Sequence, residues 1–136
     1  MFVHDTDLME VKVYCRKNGF KYEAITEKEY AKLKEEIKPK YSVLTVKMMQ
    51  LSWELYNLLQ DEAYVNDANG DRHFSFKLFK ENRMKKLIKE WDAKSGEGKA
   101  IPVSPAAIGH LVPGVAEAIL RAYDEMTVMG DEEEKK

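Results

Sequence analysis

The tetrad Arg16-Lys17-Asn18-Gly19 stands between two segments that alternate polar and apolar residues, and it restricts the fold more than any other stretch. Glu10-Val11-Lys12-Val13-Tyr14-Cys15 precedes it, and Phe20-Lys21-Tyr22-Glu23-Ala24-Ile25 follows. Alternation with period two puts every second side chain on one face of a strand, and Asn-Gly suits the two positive-φ positions of a type I′ turn. The expectation is a β-hairpin over about residues 10–25. Two strands alone are marginal in water, so this ribbon needs helices or a further strand against it.

The rest of the chain reads as mainly helical. Thr26 with Glu29 three residues on forms a capping box, predicting a helix over about 27–38 that stops before Pro39 and carries Tyr30, Leu33 and Ile37 on its apolar stripe. Tyr41–Val46 is rich in β-branched residues and leaves a third strand open. It runs without a breaker into Lys47–Leu59, however, and length and propensity favour a helix over about 45–65. Asn66–Asp71 is a turn-forming loop. Ser75 can cap a helix over about 76–91, with Phe76, Phe79, Met84, Leu87, Ile88 and Trp91 inward. Lys94–Lys99 reads as a flexible loop, and Ser104-Pro105 opens a short helical turn in the favoured cap-then-proline order. A last helix over about 115–129 carries Val115, Ile119, Leu120, Tyr123 and Met126; Gly130 ends it, and residues 130–136 form an acidic, frayed tail. The expected fold is thus one mainly α domain over residues 1–129, a small helical bundle that is α+β only through its amino-terminal hairpin.

Composition narrows the setting. A chain of 136 residues is long enough to bury roughly two thirds of its unfolded surface without a metal or disulfide. Hydrophobic residues make up 44% and charged residues 34%, a globular balance, and the formal net charge of −2 gives no global pull toward nucleic acid or an anionic membrane. Cys15 is the sole cysteine, which excludes a disulfide within the chain and suits a reducing cytoplasm. Met1-Phe2-Val3-His4-Asp5 has no basic region leading into an apolar stretch, and no window approaches the ~18 apolar residues of a membrane span. A cytoplasmic protein without membrane contact is the expectation.

Motifs that would carry chemistry fail at named positions. An EF-hand with Gly70 at its sixth place has Asp67 and Asn69 where oxygen ligands belong, but Val65 at the first place and Phe76 at the twelfth. Gly96-Glu97-Gly98-Lys99 resembles the end of a phosphate loop, yet Ala93 stands in place of its first glycine and Ala100 in place of the magnesium-binding hydroxyl. His4, His73 and His110 are far apart and none forms a metal-type pair. Cys15 has no local histidine partner and reads as a small apolar filler. The expectation is a protein with no catalytic residues, no cofactor and no metal.

Two surfaces remain. Lys77, Lys80, Arg83, Lys85, Lys86 and Lys89 concentrate positive charge on the 76–91 segment. They suit nucleic acid, but a lysine-rich wet face opposite a buried aromatic stripe is the simpler reading, and the negative net charge favours it. Met48, Met49, Trp53, Tyr56 and Leu59 exceed what one side of a helix usually buries. They are either core shared between two neighbours or a groove for another protein, since methionine adapts its shape and tryptophan and tyrosine anchor interfaces.

Several short words recur in a familiar order: Leu51-Ser52-Trp53, Asp61-Glu62-Ala63, a polar turn with Gly70, Leu87-Ile88-Lys89-Glu90-Trp91-Asp92, Pro102-Val103-Ser104, and Leu111-Val112-Pro113-Gly114-Val115-Ala116 running into a helix with Tyr123-Asp124-Glu125. Over Leu51 to Tyr123, about half of the chain, this resembles the small tail assembly chaperones of long-tailed bacteriophages. The resemblance implies a largely helical, non-catalytic protein of the host cytoplasm that binds the long, aggregation-prone tape-measure protein during tail assembly and is absent from the virion. It also implies a short and a frameshifted long form, with which Lys135-Lys136 is compatible. The hairpin and first helix lie outside it. Homo-oligomerisation stays open. The alternatives are a small nucleic-acid-binding or regulatory protein using Lys77, Lys80, Lys85, Lys86 and Lys89, and a minor structural protein of the virion.

Overall fold

A computed structural model describes residues 1–4 and 7–127. It corrects the expected helical bundle. The chain forms an α+β fold around a four-stranded antiparallel sheet in the order β2-β1-β3-β6. The largely helical architecture implied by the phage-chaperone resemblance is overturned with it.

The hairpin is present as β1 (Leu8–Asn18) and β2 (Lys21–Thr26), but its turn differs by one residue. Asn18 pairs with Lys21, so Gly19 and Phe20 occupy the two central places. Only Gly19 has a positive φ, +66°, which is the pattern of a type II′ turn and not of I′. The capping box forms as expected: the Glu29 amide donates to the Thr26 hydroxyl at 3.4 Å, and the Thr26 amide donates to the Glu29 carboxylate at 3.3 Å. The helix it opens, α1, spans only Glu27–Ala31 and not 27–38. It buries no residue, and a helix without a packed face has only weak intrinsic propensity to prolong it. A 3-10 turn at Lys38–Lys40 completes the crossing over β1, where the Tyr30 ring stacks on Tyr14 at 3.8 Å.

The main departure lies in the predicted 45–65 helix. Ser42–Met49 is strand β3, bonded to β1 on one side and β6 on the other. Val46 and Met48 are both fully buried. Residues two apart lie nearly opposite one another on a helix but share a face of a strand, so only the extended form buries both. The helix that follows, α2 (Trp53–Asp61), starts at a cap not expected from sequence: the Ser52 hydroxyl accepts from the Leu55 amide at 3.1 Å. Short strands β4 (Tyr64–Asn66) and β5 (Arg72–Phe74) replace the predicted end of that helix and frame the polar turn.

Ser75 caps α3 (Phe76–Leu87) as expected, but residues 88–91 leave the helix as strand β6 (Ile88–Trp91). Ile88 pairs with Met48 and Trp91 with Val46, and the Trp91 indole N–H donates to the Ile101 carbonyl at 2.6 Å. Ser104 and Pro105 open α4 (Pro105–Gly109), with the Ser104 hydroxyl accepting from Ala107. The last helix, α5, spans Pro113–Glu125, starting and ending earlier than the predicted 115–129. Val115, Ile119, Leu120 and Tyr123 are buried as expected, whereas Met126, just past its end, is 53% exposed. Gly130 and the acidic tail lie outside the described residues.

One core holds the sheet together. Val11 and Val13 of β1, Val46 and Met48 of β3 and Ile88 of β6 face Ala118, Ile119 and Tyr123 of α5 and Met84 and Leu87 of α3. The start of α5 lies close to β2: a β-carbon at Gly114 would be in ordinary contact with the Tyr22 carbonyl oxygen, at 3.4 Å. On the outer face, Glu10, Lys47 and Glu90 occupy successive partner positions across three strands, and Lys47 meets Glu90 at 3.6 Å.

Candidate functional site

The segment from α2 through β4 and β5 to the start of α3 forms a lobe beside the sheet. Its own core is small: Leu59, Ala63 and Phe79 are buried, with Leu51, Leu55, Tyr56 and Phe74 packed around them. Tyr64, Phe74 and Phe76 meet edge to face along the ribbon, with centroids 5.5 and 5.0 Å apart. This packing leaves large apolar side chains outside. Trp53 is 83% exposed and Phe76 75%, and Leu58, Tyr64 and Val65 are exposed as well.

The five residues singled out for protein binding are therefore divided. Met48 and Met49 belong to β3 and, like Leu59 of α2, are buried in the two cores. Tyr56 is half-buried: its ring meets Phe79 edge-on, and its hydroxyl accepts from the Gln60 amide at 3.0 Å. Trp53 alone among them is turned out to solvent. Phe76, predicted inward, faces out too.

The lysines are also divided. Lys77, Lys80 and Lys85 line a cleft of about 250 Å³ between α3, α4 and α5, floored by Met84, Ile108 and Leu120, where Lys80 is held by Glu117 at 2.8 Å. Lys86 and Lys89 line a second cleft of about 460 Å³ against α2, together with Met49, Ser52, Glu54, Leu55 and Leu58. Arg83, grouped with them by sequence, is 4% exposed. It is ion-paired with Asp124, and its guanidinium lies 5.4 and 5.7 Å from the centroids of the Phe79 and Tyr123 rings. Its Nε has no hydrogen-bond partner. The spacing Phe79, Arg83, Leu87 puts Arg83 on the buried stripe of α3, a signal present in the sequence.

Tyr123 joins helix to sheet, its hydroxyl donating to the Met49 carbonyl at 2.9 Å; burial pushes its phenol up to about 12. Cys15 is half-buried and its thiol is pushed above the ordinary range by burial, which disfavours the nucleophilic thiolate. In the acidic turn, one oxygen of Asp67 accepts from the amides of Asn69 and Asp71, both at 2.9 Å, and so closes the loop. The Ser95 hydroxyl does the same for Glu97 and Lys99, in a turn bridged by Lys94 and Ala100 that runs into extended chain and does not itself open a helix. His73 lies 3.8 Å from Asp67, and His110 caps α4. Among the described residues no cluster of His, Cys, Asp and Glu is arranged to hold a metal ion. No described helix is long and apolar enough to cross a membrane.

No family model, curated protein or solved structure matches the chain.

Proposed function

We propose that this protein works by binding another protein through the α2–β4–β5–α3 lobe, with Trp53 as its anchor, and that its partner is the tape-measure protein of a phage tail. The observation that carries the reading is the exposure of Trp53 and Phe76 on a lobe with a very small core of its own. Apolar side chains of this size cluster at interfaces, where tryptophan gives large contact area at little entropic cost. The choice of partner rests on the resemblance over Leu51 to Tyr123, a stretch that contains the whole lobe. An assembly chaperone needs an apolar contact surface on a charged, soluble body, and the lysines and glutamates around the lobe supply the second requirement.

Co-expression with a tape-measure protein is the test. The wild-type chain is expected to keep that client soluble, and a Trp53→Ala variant to lose most of that effect while remaining folded. A client that stays equally insoluble with and without the chain defeats the reading. Salt-sensitive retention on DNA, lost in a Lys85→Glu/Lys86→Glu variant, would replace it with the nucleic-acid alternative.

A further inference from the structure

We propose that the cleft between α2 and α3 receives this chain's own carboxy-terminal segment, residues 128–136. The cleft joins an apolar floor of Met49, Leu55 and Leu58 to a basic wall of Lys86 and Lys89, with Glu54 contributed by α2. An occupant suited to it has a short apolar stretch followed by carboxylates that meet the lysines and stay clear of Glu54. Val128-Met129-Gly130-Asp131-Glu132-Glu133-Glu134 has that order. Among the described residues, Lys86 and Lys89 make no ion pair, whereas Lys80 and Lys47 do.

The placement of α5 directs the end of the described chain toward this cleft. Tyr123 is bonded to the carbonyl of Met49, a floor residue, and Asp124 is paired with Arg83, three residues before Lys86. The described chain ends at Thr127, four residues beyond Tyr123. Seven further residues, extended, span up to about 25 Å. That span exceeds the roughly 8–10 Å between packed helices, and α5 is held against α3 by the Arg83–Asp124 pair, which puts the lysines within range of a chain that long. Each exposed ion pair is weak, about 0.2–1 kcal/mol. Tethering compensates, because it holds the segment at an effective concentration in the millimolar range. Occupancy is then sensitive to ionic strength, and any partner with an acidic, apolar segment must displace it. Trp53 does not line the cleft, and the inference stands without the tape-measure reading.

Paramagnetic broadening in the full-length chain tests it. A spin label at Lys136→Cys, in a Cys15→Ala background, leaves all four carboxylates in place. The amides of Ser52, Leu55, Leu58, Lys86 and Lys89 are expected to lose most of their intensity, while β2 keeps its own. Lys86→Glu/Lys89→Glu should abolish the loss, and adding Glu132→Lys/Glu133→Lys/Glu134→Lys should restore it. Broadening spread evenly over the surface overturns the proposal, as does broadening at the cleft that survives the lysine reversal. Broadening that appears only when a labelled chain is mixed with a separate isotopically labelled one also overturns it, in favour of contact between copies.

Discussion

The sheet body and the lobe differ in how much of their apolar surface they bury, although the body too leaves Phe20 and Val43 exposed. In the body, strands β1 and β3 and helix α5 bury Val11, Val13, Val46, Met48, Ala118, Ile119 and Tyr123 with essentially no exposure. In the lobe, Leu59 and Ala63 reach that state, while Trp53 and Phe76 stay mostly in water. At roughly 25 cal/mol per Å² of apolar surface removed from water, the body gains most of what its side chains can supply and the lobe does not. The body carries the larger buried core, and the lobe leaves two of its largest side chains in water. Helix α3 belongs to both, giving Phe79 to the lobe and Met84 and Leu87 to the body. Arg83 sits where they join, between the rings of Phe79 and Tyr123.

That junction predicts the largest effect. Asp124→Ala strips the buried Arg83 of the one ionic partner it has among the described residues and should cost about 3–5 kcal/mol in urea unfolding. Arg83→Met, which removes the charge as well, should cost clearly less. Equal losses for the two would show that the pair is not what ties the lobe to the body.

Ile119→Ala and Leu59→Ala each remove a buried aliphatic side chain, at about 2–5 kcal/mol apiece. Hydrogen exchange should separate them. Leu59→Ala is expected to lower protection in α2 and the ribbon while β1 and β3 keep theirs, and Ile119→Ala to lower it throughout. A uniform loss in both variants would mean one cooperative unit, and the distinction drawn between body and lobe would fail.

Tyr123→Phe should cost about 1 kcal/mol at neutral pH, the usual net worth of one hydrogen bond. It should also change the alkaline limb. Burial pushes the phenol up to about 12 in the folded protein, against about 10 in an unfolded chain. The unfolded state therefore gives up its proton first, so this contribution is complete below about pH 10 and disappears as pH rises toward 12. The difference between wild type and variant should shrink over that window, and a constant difference would refute the assignment.

The smallest stability effect belongs to Trp53→Ala, within about 0.5 kcal/mol because the side chain touches little. Partner capture should nonetheless fall sharply. A large stability loss would place Trp53 in the fold and remove it as an anchor.

Local signals were readable at three helix starts where a side chain satisfies a neighbouring backbone group, but not at Ser52, because the expected helix ran straight through it. Thr26 with Glu29, Ser75, and Ser104 with Pro105 all open helices as expected, because capping needs only a side-chain oxygen two or three residues from its amide. The hairpin was readable from its alternation, though not the placement of its turn. Of the candidate site, Trp53 was readable as unusual, as were the exposed lysines. The cleft formed by Leu55, Leu58, Lys86 and Lys89 was not, because it depends on how α2 lies against α3.

By itself the sequence determined three of the capped helix starts, the amino-terminal hairpin and the failure of the EF-hand and phosphate-loop patterns at specific positions, all properties of residues near one another in the chain. Tertiary structure alone decided that Ser42–Met49 and Ile88–Trp91 are strands and that Trp53 is exposed. The physical reason is pairing at long range. Val46 and Met48 have an open choice of conformation until β1 and β6 supply hydrogen bonds on both sides and α5 covers the face they share.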